Sequence, residues 1–164
     1  MHPGARATLS ITRDSGGLVI RPCGPRDAAD VLALWRRSRD PQARGDEAAS
    51  LCRLMERDPD ALLVAEVEGR AVGSLIAAWD GWRGNMYRLT VDPEHRGRGI
   101  ALELVKAGEE HLRARGARRI SALVWKEDRL AVGLWLRAGY AHEEGTGRFV
   151  KTLVPGGQTG DHER

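Results

Sequence analysis

The stretch Val91-Asp92-Pro93-Glu94-His95-Arg96-Gly97-Arg98-Gly99-Ile100-Ala101 joins a strand-like segment to a long amphipathic helix through two closely spaced glycines. Upstream, Tyr87-Arg88-Leu89-Thr90-Val91 carries the aromatic and β-branched bias of a strand. Downstream, Ala101, Leu104, Val105, Gly108 and Leu112 recur at helical spacing, while Glu103, Lys106, Glu109, Glu110 and Arg113 fill the other face. Glycine at positions 97 and 99 removes the Cβ that would hold a ligand off the backbone, and the first turn of a helix leaves N–H groups without an intrahelical acceptor. Such a turn binds phosphate or pyrophosphate. The alternative is a glycine-rich left-handed turn with no ligand.

Spacing separates the phosphate-binding readings. A dinucleotide fold requires G-x-G-x-x-G, but Leu102 stands where the third glycine would be; a P-loop requires G-x-x-x-x-G-K-[ST], and the chain has no such run. What remains is Arg-x-x-Gly-x-Ala, carried by Arg96, Gly99 and Ala101 and preceded by Val91-Asp92-Pro93. This pattern closely resembles the acetyl-CoA signature of the GCN5-related N-acetyltransferase (GNAT) family.

Working outward, Leu18–Pro22 reads as a short strand, and Gly24-Pro25 opens a helix with Ala28, Val31, Leu32, Leu34 and Trp35 on its buried stripe, ending before Asp40-Pro41. A second helix is expected over Asp46–Arg57, with Ala48, Leu51, Cys52 and Met55 on one face. Ala61–Glu68 and Ala71–Trp79 form a hairpin around Gly69-Arg70; Asp80–Gly84 is a loop; Asn85–Val91 is the strand that enters the glycine turn. Gly116 ends the central helix, and Arg119–Val124 is a further strand, so strand, helix, strand implies a right-handed parallel crossover. Asp128 caps a fourth helix with Ala131, Leu134, Trp135 and Ala138 inward, and 140–144 with 147–152 read as a closing hairpin. The expected fold is α/β (α+β): a mixed, mainly antiparallel sheet of about seven strands with a central parallel pair, flanked by about four helices. Residues 1–17 read as a flexible leader, 18–154 as a single domain and 155–164 as a polar tail. The element order also matches that of the acetyltransferase family.

The resemblance covers about Leu18 to Leu153, and it implies roles for individual residues. The backbones of Leu89, Thr90 and Val91 would pair with the pantetheine arm as an added strand would. The N–H groups of Gly97, Arg98, Gly99, Ile100 and Ala101 would hold the pyrophosphate, with Arg96 and Arg98 adding positive charge; the bland reading of both arginines is solvated surface. The family's second motif, Asn-x-x-Ala followed by a Tyr and Gly-Phe, is matched in register by Asp128, Ala131, Trp135, Gly139 and Tyr140. Asp128 keeps a capping oxygen but adds a charge. Trp135 replaces a tyrosine whose hydroxyl protonates the departing thiolate in many members; an indole packs or donates a hydrogen bond but has no usable acidity. Leu123 stands where the ribosomal-protein acetyltransferases of the family carry a glutamate, which argues against a close functional copy of those enzymes. The chain looks most like small bacterial acetyltransferases of undefined substrate, which share an Asp-Gly-x-Arg-Gly loop, here 80–84.

That loop enters the cofactor strand at the end away from the pyrophosphate. Asp80 is therefore the candidate catalytic residue, accepting an amine proton through water, with Trp79, Trp82 and Arg83 as candidate substrate-binding residues. The alternative for Asp80-Gly81 is turn chemistry. Glu66 and Glu68 on the preceding hairpin are the next candidate bases.

Composition bounds these readings. The chain has 164 residues, 41% hydrophobic and 30% charged, ordinary for one globular domain with a core, and no apolar run approaches a membrane span. No apolar signal segment stands at the N-terminus, so a cytoplasmic protein is expected. Cys23 and Cys52 lie in unrelated contexts, which indicates neither a metal site nor a disulfide framework. The net charge of +3 is spread among mixed acids and arginines rather than clustered, against a nucleic-acid partner. The resemblance implies an acetyl-CoA-dependent N-acetyltransferase acting by direct attack of a primary amine of a small molecule or peptide, without metal, and a homodimer is compatible with it. The rival readings are a non-catalytic acyl-CoA-binding module, and an enzyme using another acyl group or a hydroxyl acceptor.

Overall fold

A computed structural model describes residues 12–13, 17–38 and 47–147. The elements are β1 (Thr12–Arg13), β2 (Leu18–Pro22), α1 (Ala28–Arg37), α2 (Ala48–Arg57), β3 (Leu62–Val67), β4 (Arg70–Trp79), β5 (Gly84–Val91), α3 (Ile100–Ala114), β6 (Ile120–Ala122) and α4 (Arg129–Arg137). Short 3-10 turns at Pro25–Asp27 and Pro93–His95 lead toward α1 and α3. Among the described residues the strands form one six-stranded sheet in sequential order, antiparallel throughout except for the parallel β5–β6 pair. The mixed sheet, the parallel crossover through α3 and the four helices are as the sequence pattern predicts.

Side-chain alternation along β3 explains how one sheet carries two cores. Leu63 and Ala65 face α3 and α4, in a cluster with Leu75, Met86, Leu104, Leu112 and Trp135. Leu62 and Val64 face the other way, against Val31, Trp35, Leu51 and Met55 of α1 and α2. The helix α3 lies close on the sheet at Gly108, where an added Cβ would stand 2.8 Å from Leu75 Cδ2 and 3.0 Å from Met86 Cε. Any larger residue there would push the helix away and open a core that Leu104 and Leu112, both fully buried, now fill.

Several expectations are corrected. The β3–β4 turn is Glu68-Gly69, not Gly69-Arg70, with φ of 50° and 76°. Both central residues are left-handed, as a tight turn matched to the strand twist requires, so glycine takes the second place and Arg70 joins the strand. Cys52 is exposed and so is Ala48: the buried stripe of α2 is Leu51 and Met55, with Leu54 beside it, one step out of phase with the expected one. The strand after the central helix is limited to 120–122, and residues 140–144 are not a strand. Residues 148–152 of the expected closing hairpin lie outside the described residues. Conversely Thr12–Arg13, within the expected leader, pairs with Val19 and Ile20.

Candidate active site

The parallel ladder joins Gly84, Asn85 and Met86 to Ile120, Ser121 and Ala122, and stops there. Beyond it β5 continues to Val91 while the chain after β6 turns off toward α4, so the two strands part. The gap is a groove of about 440 Å³, with Met86–Val91 as one wall, Leu123–Trp125 and the α4 residues Ala131 and Trp135 as the other, and residues of the 95–101 turn at its inner end.

A β-bulge shapes the first wall. Ser74 pairs with Thr90 and Ile76 with Tyr87, which leaves Arg88 and Leu89 opposite the single residue between them on β4. Arg88 has a φ of 54°, a left-handed conformation that costs a non-glycine residue about 1–2 kcal/mol. It is braced from behind: the hydroxyl of Ser74, fully buried, donates to the Arg88 carbonyl at 3.3 Å and accepts from Trp35 Nε1 at 2.8 Å. The Arg88 guanidinium lies 5.2 Å from the Trp35 ring centroid. Because Met86 and Leu89 both pack on the α3 side, the two residues between them, Tyr87 and Arg88, project from the α1 face.

The inner end is a backbone construction. Asp92 Oδ1 accepts from the Glu94 N–H at 3.0 Å and Oδ2 receives Arg37 at 3.1 Å, which sets the turn leaving β5. Arg96 Nε donates to the Val91 carbonyl at 3.2 Å, tying the far side of the turn to the strand end. Gly97 and Gly99 have φ of 75° and 80°, and a Cβ at either would meet nothing within 4 Å. These glycines therefore serve backbone shape and open space, not packing. Gly99 is the N-cap of α3 and supplies no side-chain acceptor, so the first-turn N–H groups of α3 are open toward the groove.

On the opposite wall Asp128 caps α4, its Oδ1 accepting from the Ala131 N–H at 3.0 Å. Trp135 is buried, with its ring edge-on to Tyr140 at 4.8 Å. Burial raises the Tyr140 phenol well above its ordinary value, and Glu109 adds to this.

Of the residues expected at a cofactor site, Leu89, Thr90, Val91, Arg96, Gly97, Gly99, Ile100, Ala101, Asp128 and Trp135 all line the groove. Arg98 does not; it turns back to the Glu94 carbonyl at 3.4 Å. The expected acceptor residues Asp80, Trp79, Trp82 and Arg83 are not brought to it either. The reason is the ladder: the 80–83 turn enters β5 at the paired end, where β6 closes the gap. Asp80 is exposed, its Oδ1 accepting from the N–H groups of Trp82 (2.8 Å) and Arg83 (2.6 Å), and these bonds hold the carboxyl below the usual range. Trp79 packs on the α3 core, and Arg83 stacks 4.4 Å from the Trp82 ring centroid. Glu66 is bound by Arg21 at 2.7 Å, and Glu68 occupies the hairpin turn.

Residues missed by the sequence reading are Tyr87, Arg88, His95, Trp125 and Arg137, all lining the groove, and the Trp35–Ser74 brace behind it. One signal was present: Tyr87-Arg88 puts two consecutive non-core residues into a strand that otherwise alternates, the mark of a bulge.

The model of the acetyltransferase (GNAT) family matches residues 28–140. The fold is similar to that of AAC(6')-Iy in complex with the bisubstrate analogue CoA-S-monomethyl-acetylneamine, at TM-score 0.68 and 18% identity over 83% of this chain and 99% of that one. It is also similar to an aminoglycoside acetyltransferase from an uncultured soil metagenomic sample, in complex with trehalose, at TM-score 0.70 and 19% identity over 85% and 98%. A GNAT-family acetyltransferase from Streptococcus pneumoniae aligns at TM-score 0.66 and 21% identity over 77% and 86%. No helix among the described residues is long and apolar enough to cross a membrane.

Proposed function

Because the chain belongs to the acetyltransferase (GNAT) family, we propose that it is an acetyl-CoA-dependent N-acetyltransferase that acylates a primary amine by direct attack. The observation that carries this reading is the groove itself: a gap between two parting parallel strands whose inner end is a left-handed glycine turn opening a helix. Its shape suits an extended pantetheine arm along Leu89–Val91 and a pyrophosphate on the N–H groups from Gly97 to Ala101, with Arg96 beside them. The open space at both glycines is what a close approach of phosphate oxygens needs.

The acetyl end then lies toward the bulge. A peptide is planar and trans, so a carbonyl and the following N–H point in opposite directions. Since the Arg88 carbonyl is held by Ser74, the N–H of Leu89 is directed off β4, toward the side where β6 has separated. It serves as donor to the carbonyl oxygen as charge develops there. The amine nitrogen attacks the thioester carbon, the C–S bond breaks, and the proton lost from nitrogen passes through water to the departing thiolate, so that CoA leaves as the thiol. Alignment of two reactants supplies much of the rate, which is compatible with Trp135 in place of a tyrosine.

Two measurements test the reading. Acetyl-CoA should raise the melting temperature by mass action, and incubation with a panel of amines should release free thiol. A thermal shift with no thiol release from any amine would replace the enzyme by a non-catalytic acyl-CoA-binding module.

A further inference from the structure

Among the described residues, the apolar cluster that α1 and α2 form with the sheet draws on β3 and β4. At the mouth of the groove Tyr87, Leu123 and Trp125 are 41%, 38% and 48% exposed. Their alternate neighbours Met86, Ala122 and Val124 turn to the α3 core. Single exposed apolar residues need no explanation, but several large ones that line one opening, from β5 and from the segment after β6, do. The contrast is Trp82, more exposed still yet stacked on Arg83 and outside the groove.

Charge narrows the ligand. Among the described residues lining the groove the charged side chains are Arg88, Arg96 and Arg137 against Asp128 alone, with His95 beside them. Asp128 already receives the Ala131 N–H. A polycationic acceptor finds no free carboxylate pair among these residues.

We infer that the acceptor is a primary amine carried on an aromatic group, whose ring seats between Tyr87 and Trp125 while its nitrogen reaches the groove at the bulge. This rests on the transfer reading above and specifies its substrate class. The ring gains apolar contact and aromatic stacking at these exposed side chains. A neutral ring needs no carboxylate partner.

The test is thiol release from acetyl-CoA with 2-phenylethylamine, spermidine and kanamycin as acceptors. The expected kcat/KM for 2-phenylethylamine exceeds those for the two polycations by at least about tenfold. Trp125→Ala and Tyr87→Ala should each lower it about tenfold, mainly through the KM for the amine, while Trp125→Phe retains most of it. Spermidine or kanamycin used as well as 2-phenylethylamine would overturn the aromatic assignment and leave the transfer reading standing. Thiol release from no amine would overturn both. If a second copy of the chain covers this face, Trp125→Ala shifts the oligomeric state in light scattering and leaves acceptor selectivity alone, which also overturns the assignment.

Discussion

Replacing Ser74 by alanine tests the brace behind the bulge. The hydroxyl is fully buried and bonds on two sides, to Trp35 Nε1 at 2.8 Å and to the Arg88 carbonyl at 3.3 Å. Its removal strands an indole N–H in a site with no water access, since Trp35 is itself 2% exposed, and an orphaned buried donor costs about 1–3 kcal/mol. At roughly 2–4 °C per kcal/mol for a chain of this size, Ser74→Ala should lower the melting temperature by about 2–12 °C. The left-handed Arg88 loses a restraint at the same time, so the Leu89 N–H drifts from its aim. Loss of one oxyanion donor is worth about a hundredfold or more in kcat, and a misplaced one should cost about tenfold, with acetyl-CoA affinity nearly unchanged. Trp35→Phe supplies the control: in the Ser74→Ala background it should destabilise by about 1 kcal/mol less than in the parent chain, the two groups being directly coupled. Urea unfolding of the four proteins, with steady-state kinetics on each, makes the measurement. A Ser74→Ala protein within about 0.5 kcal/mol of the parent and with full kcat would refute both the energetic reasoning and the proposed aim of the N–H.

Gly99→Trp should leave the fold intact, because a Cβ added there points into open space with nothing within 4 Å, yet abolish the thermal shift with acetyl-CoA by filling the cradle and straining a φ of 80°; a surviving shift would remove the pyrophosphate site from this turn. Asp80→Asn keeps an oxygen for the Trp82 and Arg83 N–H groups, so kcat should stay within about twofold and the low-pH limb of the rate profile unmoved, whereas a fall of about a hundredfold would restore Asp80 as the proton acceptor. His111 is buried in α3, 3.6 Å from Asp58 Oδ2; desolvation lowers its pKa below the ordinary 6.5, Arg115 lowers it further, and Asp58 and Asp60 oppose this only in part. The unfolded chain thus binds this proton first, so stability present above about pH 6.5 is lost as the pH falls, and His111→Leu should flatten the urea midpoint between about pH 7 and pH 5. A parent midpoint that holds steady or rises on acidification through that window would contradict the assignment.

What the sequence made legible was local. The glycine turn and α3 depend on residues within a few positions of one another, and helical periodicity located Leu104, Val105 and Leu112 correctly. The groove was legible only through family resemblance, because its width comes from where a parallel ladder stops and from a bulge fixed by Ser74, fourteen residues away in the chain from Arg88. Asp80 shows a different obstacle. A carboxylate that caps a turn and one that accepts a proton are the same residue type in the same kind of loop, so the sequence does not separate the two roles. Cys52 was misplaced because one helical step of phase moves a small residue from core to surface, and small residues weakly constrain that phase.

The short ladder of β6 has a mechanical consequence. Among the described residues it is tied to the sheet by three residue pairs, and Trp135 is the one buried side chain of α4, so one wall of the groove belongs to a lightly fastened part of the molecule. The other wall, β5, is laced into the sheet over most of its length. A ligand lying between them touches both and acts as a rivet, and part of its binding free energy goes into holding the flap shut. Amide hydrogens of 120–137 should then exchange well before those of β3 and β4 in the free protein, and slow most when acetyl-CoA is added. Donor affinity and groove rigidity are, on this construction, a single quantity, and substitutions far from the cradle that loosen α4 will read out as weaker CoA binding.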